Sequence, residues 1–93
     1  MSSSNRIARD VTVRGLVQGV FFRDSCRQVA GEHGVSGWVS NEPDGSVRAH
    51  LEGPAPAVDL LVRWMHDGPR HASVDTVEVR DADLTGATGF SVR

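Results

Sequence analysis

Lysine and tyrosine are absent from this chain of 93 residues, and cysteine occurs once, at Cys26. A single thiol excludes an internal disulfide and a cysteine-based zinc cluster, and it suits a reducing, cytoplasmic setting. Aromatic residues are few, three Phe and two Trp, so the core must be built mainly from Val, Leu and Ala. No apolar run approaches the roughly 20 residues of a membrane helix, and the polar start, MSSSNR, has no apolar stretch behind it to act as a signal peptide. A basic surplus is missing as well. Ten arginines against twelve acidic residues give a net charge of −2, which argues against a general nucleic-acid binder.

What remains is the composition of one small domain. Residues 1–5 read as a disordered tail and 6–93 as the domain. Val11 and Val13 alternate with Thr12 and Arg14, a half-buried strand over Ile7–Arg14. Phe22, Cys26, Val29, Ala30 and His33 then recur at helical spacing, with Gly34 placed to cap the helix. Val35–Ser40 forms a second strand, and the turn at Pro43-Asp44-Gly45 leads to a third. There Val47, Ala49 and Leu51 alternate with Arg48, His50 and Glu52. A second helix begins near Pro56, buries Val58, Leu61, Val62 and Met65, and ends at Gly68-Pro69. Val77 and Val79 mark a fourth strand, and the opposite parity of Val74 places a bulge near Asp75. A loop over Asp83–Gly89 precedes a short last strand with Phe90 and Val92. The order predicts an α+β, ferredoxin-like βαββαβ sandwich. Its sheet is mostly antiparallel, with two helices on one face and a short C-terminal strand.

Between the first strand and first helix lies GLVQGVFFR, from Gly15 to Arg23. A short loop between Gly15 and Gly19 can curl its N–H groups inward, and a helix N-terminus follows it. Arg23 adds a planar fork of donors in the first helical turn. Together these suit a phosphate-sized anion. The same residues also describe a chance glycine loop beside a solvated arginine. In the predicted topology the first and second strands run parallel, so Gly15 and Asn41 lie at one edge. With a strand between them, the two ends are roughly 9–10 Å apart. Asn41 can then meet a ligand held by the loop, or serve only as a turn residue before Pro43.

The histidines His33, His50, His66 and His71 show no metal-ligand spacing and read as structural or surface residues. Asp81 and Asp83 read as a solvated loop face. Ser25 and Cys26 have no evident histidine partner, so a covalent nucleophile is not expected. Trp38, the one aromatic on the central strands, has hydrophobic neighbours that imply burial, which disfavours a stacking RNA surface.

GLVQGVFFR followed by GWVSNEPDGSV, with Asn41 eighteen residues after Arg23, resembles the paired signatures of the acylphosphatase family. HLEGP, HDGP, VDTVEV and GFSVR extend the resemblance over nearly everything from Val11 to Arg93. It implies hydrolysis of small acyl phosphates to carboxylate and inorganic phosphate, without metal or other cofactor. It also implies that Arg23 and the loop Leu16, Val17, Gln18, Gly19 and Val20 bind phosphate, and that Arg23 and Asn41 are catalytic, Asn41 positioning the water. Leu16 and Ser40 stand where many members carry a basic or longer polar residue, which weakens the electrostatics around the loop. The expected partners are an acyl phosphate and inorganic phosphate as product and competitor. No nucleic acid or membrane is expected, and the chain is expected to act as a cytoplasmic monomer. A reading from another class, a binding module on the same fold that does not turn substrate over, is separated from this one by hydrolysis of a simple acyl phosphate.

Overall fold

The structure, a computed structural model, describes residues 5–93. Its elements are β1 (Arg6–Leu16), α1 (Phe22–His33), β2 (Ser36–Asn41), β3 (Val47–Pro54), α2 (Ala55–Asp67), β4 (Ser73–Ala82) and β5 (Phe90–Val92). Asn5, expected in the tail, accepts the Ala55 N–H at 3.1 Å through its carbonyl. The rest of that expected tail lies outside the described residues.

The sheet order is β4-β1-β3-β2-β5, antiparallel except where β5 joins β2 in parallel. Both helices pack on one face. Strand alternation sends Val11, Val13, Val39, Val47, Ala49 and Leu51 to that face, where they meet Phe22, Cys26, Ala30, Val58, Leu61 and Met65. Each larger aliphatic side chain fully buried there contributes about 1.5–3 kcal/mol. Gly34 closes α1 in the left-handed conformation, with its N–H donating to the Ala30 carbonyl. His33, at helical spacing with the core residues, is exposed at the last turn instead.

The parity change in β4 is a bulge. Arg14 pairs with Thr76 and Gly15 with Val74, leaving Asp75 as the extra residue. This changes the meaning of Gly15. It belongs to β1, not to the loop, at φ +130°, and any Cβ there would collide with the Ser73 carbonyl oxygen and the Asp75 nitrogen. A strand that must turn past a bulge this closely has room only for glycine.

The outer face of the sheet departs further from expectation. Trp38 is not in the core: even-numbered residues of β2 face away from the helices. Its ring stacks at 6.4 Å on His50, and the Arg93 guanidinium lies over it at 4.5 Å. His50 and Glu52, the polar half of the alternation in β3, are only 7% and 0% exposed. The segment after β4 folds back over them, and Thr85, Gly86 and Ala87 donate to the Glu52 carboxylate.

Candidate active site

β3 lies between β1 and β2 and is antiparallel to both, so the carboxyl ends of β1 and β2 share one edge. At that edge a cleft of about 300 Å³ is lined by Val17, Gly19, Phe21, Phe22, Arg23, Asp24, Asn41 and Val92. Larger depressions of about 530 and 550 Å³ lie on the outer sheet face, where acidic and basic side chains are interleaved. Of these three, it is the cleft at the strand ends that joins a helix N-terminus, an arginine and a glycine loop.

The loop between β1 and α1 closes over a buried floor. Val17 is 1% exposed and Phe22 2%, with the Phe22 ring centroid 5.3 Å from that of Trp64. This anchors the first turn of α1 on the core and sets the origin of the Arg23 side chain. Gly19 is at φ +75°, the left-handed region that lets the loop curl. Phe21 shares that region at φ 63°, ψ 28°, a conformation costing an ordinary residue about 1–2 kcal/mol. It is 76% exposed and sits at the N-cap of α1 with no side-chain cap. Among the described residues, the backbone N–H groups of Gln18 through Phe21 donate no hydrogen bond to the protein. Unpaired donors at a helix start carry the positive end of its dipole.

Arg23 donates from Nη1 to the main-chain oxygen of Arg93 at 2.7 Å. The nearby acid Asp24 instead lies 3.9 Å from Arg27. Arg23 is therefore not committed to balancing Asp24, and its remaining donors face no protein acceptor among the described residues. Asn41, the last residue of β2, has its Oδ1 buried with no hydrogen-bond partner among the described residues. A buried, unpaired acceptor costs about 1–3 kcal/mol.

Of the residues read from the sequence, the structure brings Val17, Gly19, Arg23 and Asn41 to this cleft. Leu16 pairs with Ser73 at the end of β1, and its side chain is 59% exposed. Val20 packs against the core. The Gln18 side chain is turned to the β2–β3 turn, where Nε2 donates to the carbonyls of Glu42 at 2.8 Å and Ser46 at 3.0 Å. Neither Gln18 nor Val20 is among the residues that line the cleft.

Sequence reasoning missed Phe21, Val92 and Arg93 as neighbours of the site. Residues of β5 reach it only through parallel pairing with β2, and no local pattern announces that pairing. Cys26 is fully buried, and burial pushes its thiol up to about 12. Among the described residues, no three His, Cys, Asp or Glu side chains are grouped to hold a metal ion. No helix among them is long and apolar enough to cross a membrane.

The acylphosphatase family profile matches residues 9–92. An acylphosphatase of Rubrobacter xylanophilus is 61% identical over 84 residues, covering 89% of this chain and 76% of the relative. One from a Nocardioides species is 56% identical, covering 95% and 89%. The solved structure of an acylphosphatase from Coxiella burnetii superimposes with a TM-score of 0.92 at 37% identity, covering 96% of this chain and 94% of that one. With the strand-end cleft, the loop and the profile in agreement over nearly the whole domain, the chain belongs to the acylphosphatase family.

Proposed function

We propose that the chain hydrolyses the carboxyl–phosphate anhydride of small acyl phosphates, with Arg23 and the N–H groups of the Leu16–Val20 loop holding the phosphate and Asn41 holding the attacking water. The observation that carries this reading is the pairing of opposite needs in one cleft. Among the described residues, Arg23 keeps donors beyond its bond to Arg93, the N–H groups of Gln18 to Phe21 find no protein acceptor, and Asn41 Oδ1 finds no donor.

The chemistry asks for little more. A carboxylate leaving group has a conjugate acid near pKa 4–5 and departs as an anion at neutral pH, so no general acid is needed. Phosphoryl transfer requires in-line positioning and neutralisation of charge on the equatorial oxygens. Guanidinium and backbone donors supply the second, and the Asn41 amide supplies the first. Asn41 is too weak a base to take the water's proton, which passes to a phosphate oxygen of the substrate. No cofactor enters any step.

Inorganic phosphate, as product, should compete for the same cradle. All the groups invoked come from one chain, so a monomer suffices. The lone, buried Cys26 supports a cytoplasmic location, and the acidic net charge supports the absence of a nucleic-acid role.

The test is Asn41→Ala assayed with acetyl phosphate. The expected loss is about 10²–10³-fold in kcat with KM nearly unchanged, the scale for removing one positioned polar group. A variant with normal kcat and raised KM would make Asn41 a phosphate ligand instead.

A further inference from the structure

Outside the cleft, the carboxylate of Glu52 is a fully buried charge that the chemistry does not use. Its donors come largely from one short stretch of irregular chain. Oε2 accepts from the Thr85 N–H at 2.9 Å and from the Thr85 hydroxyl, and Oε1 from the Gly86 and Ala87 N–H groups at 3.2 and 3.3 Å. His50 Nε2 lies 2.5 Å from Oε2, and His50 Nδ1 lies 2.7 Å from Asp10 Oδ1. Successive N–H groups wrapped around an oxyanion form a nest, here closed on the protein's own side chain. An apolar residue of similar size would bury as favourably. What it would not do is hold one placement of a segment that lacks a ladder of its own.

That segment, residues 83–88, has no regular secondary structure and leads into β5 through Gly89, whose carbonyl accepts the Gly37 N–H at 2.9 Å. β5 has only three paired positions, Phe90, Ser91 and Val92 against Gly37, Trp38 and Val39. The residue after it, Arg93, provides the main-chain oxygen that receives Arg23 Nη1 at 2.7 Å. A long arginine side chain has many rotamers to lose when it grips a ligand. One fixed hydrogen bond narrows them in advance and leaves the other donors free for phosphate.

Resting on the reading of Arg23 as a phosphate ligand, we infer that Glu52 is a positioning residue: by clasping Thr85, Gly86 and Ala87 it sets the placement of β5 and of the Arg93 main-chain oxygen, and thereby the orientation of the Arg23 guanidinium. The clasp shares this task with Arg93 itself, whose N–H donates to Val39 at 2.8 Å and whose guanidinium lies over Trp38. Its removal therefore loosens Arg23 without releasing it.

The experiment uses Glu52→Gln and Thr85→Val, with acetyl phosphate as substrate and inorganic phosphate as ligand, at a temperature well below each variant's melting transition. The KM and the phosphate dissociation constant should rise together by about 2- to 30-fold in Glu52→Gln, the span found for mutations along a coupled element. Thr85→Val should show a smaller rise of the same kind. Asn41 lies on β2, held by β3, so kcat should change less. Partial unfolding would give the opposite split, a lower kcat from fewer active molecules with KM and phosphate affinity unchanged. Unchanged constants in both variants, beside a wild type that binds phosphate and turns over, would overturn the inference and leave the activity standing. A wild type that does neither would overturn the activity and the inference together. If Glu52→Gln fails to fold, the same constants in Thr85→Val decide.

Discussion

Arg23 and Arg93 meet through one hydrogen bond, Nη1 to main-chain oxygen at 2.7 Å, across seventy residues of sequence. It ties the first turn of α1 to the end of β5 and leaves a charged fork beside the loop of unpaired N–H groups. Asn41 completes the cleft from the end of β2.

Arg23→Lys preserves charge and removes the fork. A residue that only balanced nearby acids would tolerate this at a cost below roughly 1 kcal/mol. A guanidinium engaging two phosphate oxygens in one plane would not. The expected loss is about 2–4 kcal/mol of transition-state stabilisation, roughly 30- to 1,000-fold in kcat/KM. Melting should stay close to wild type, because the first helical turn accepts either residue. Kinetics and calorimetric melting on one preparation check both halves.

Gly15→Ala should destabilise the fold by about 2 kcal/mol or more, combining a φ of +130° with a collision against backbone atoms that cannot move aside. Gly19→Ala is strained only by its φ of +75°, since its Cβ would meet nothing within 4 Å, and should cost about 1–2 kcal/mol. Urea midpoints of the two variants test the assignment of Gly15 to the bulge. Equal midpoints would argue against it.

Stability should pass through a maximum set by the pair on the outer sheet face. Burial would raise the Glu52 carboxyl, but hydrogen bonds from Thr85 and His50 outweigh it and bring the group down from 4.5 to about 2. Its contribution is complete above pH 4.5 and is lost as pH falls toward 2. For His50, burial works against the charged form, yet the carboxylates of Asp10 and Glu52 accept from both ring nitrogens and raise it above 6.5. That contribution is complete below pH 6.5 and is lost as pH rises through the raised value. Trp38 stacks on the ring, and Arg48, Asp83 and Arg93 line the same depression. Urea midpoints should therefore peak between pH 4.5 and 6.5. Glu52→Gln should flatten the acid limb, and His50→Gln the alkaline one.

The sheet and both helices were legible because Val11/Val13, Val47/Ala49/Leu51 and the α1 and α2 stripes each repeat at their element's own period. Even the β4 bulge at Asp75 showed as a change of parity at Val74. The loop and Arg23 were legible as chemistry because glycine and arginine are placed at a strand-to-helix junction. Other features depended on contacts that no period encodes. Gly15 reads as a loop residue until its neighbour Ser73 is seen. His50 and Glu52 read only as the polar half of an alternating strand, because the segment that covers them has no pattern of its own. Trp38 was expected inside because its neighbours are apolar, but strand parity turns it outward, where Arg93 covers it.

Phosphate held by Arg23 and the loop would show in initial rates of acetyl phosphate hydrolysis by the purified chain, at several concentrations of inorganic phosphate and with EDTA throughout. Turnover should be saturable, with phosphate raising the apparent KM and leaving kcat unchanged. No turnover, or rates indifferent to phosphate at many times the substrate concentration, would contradict it.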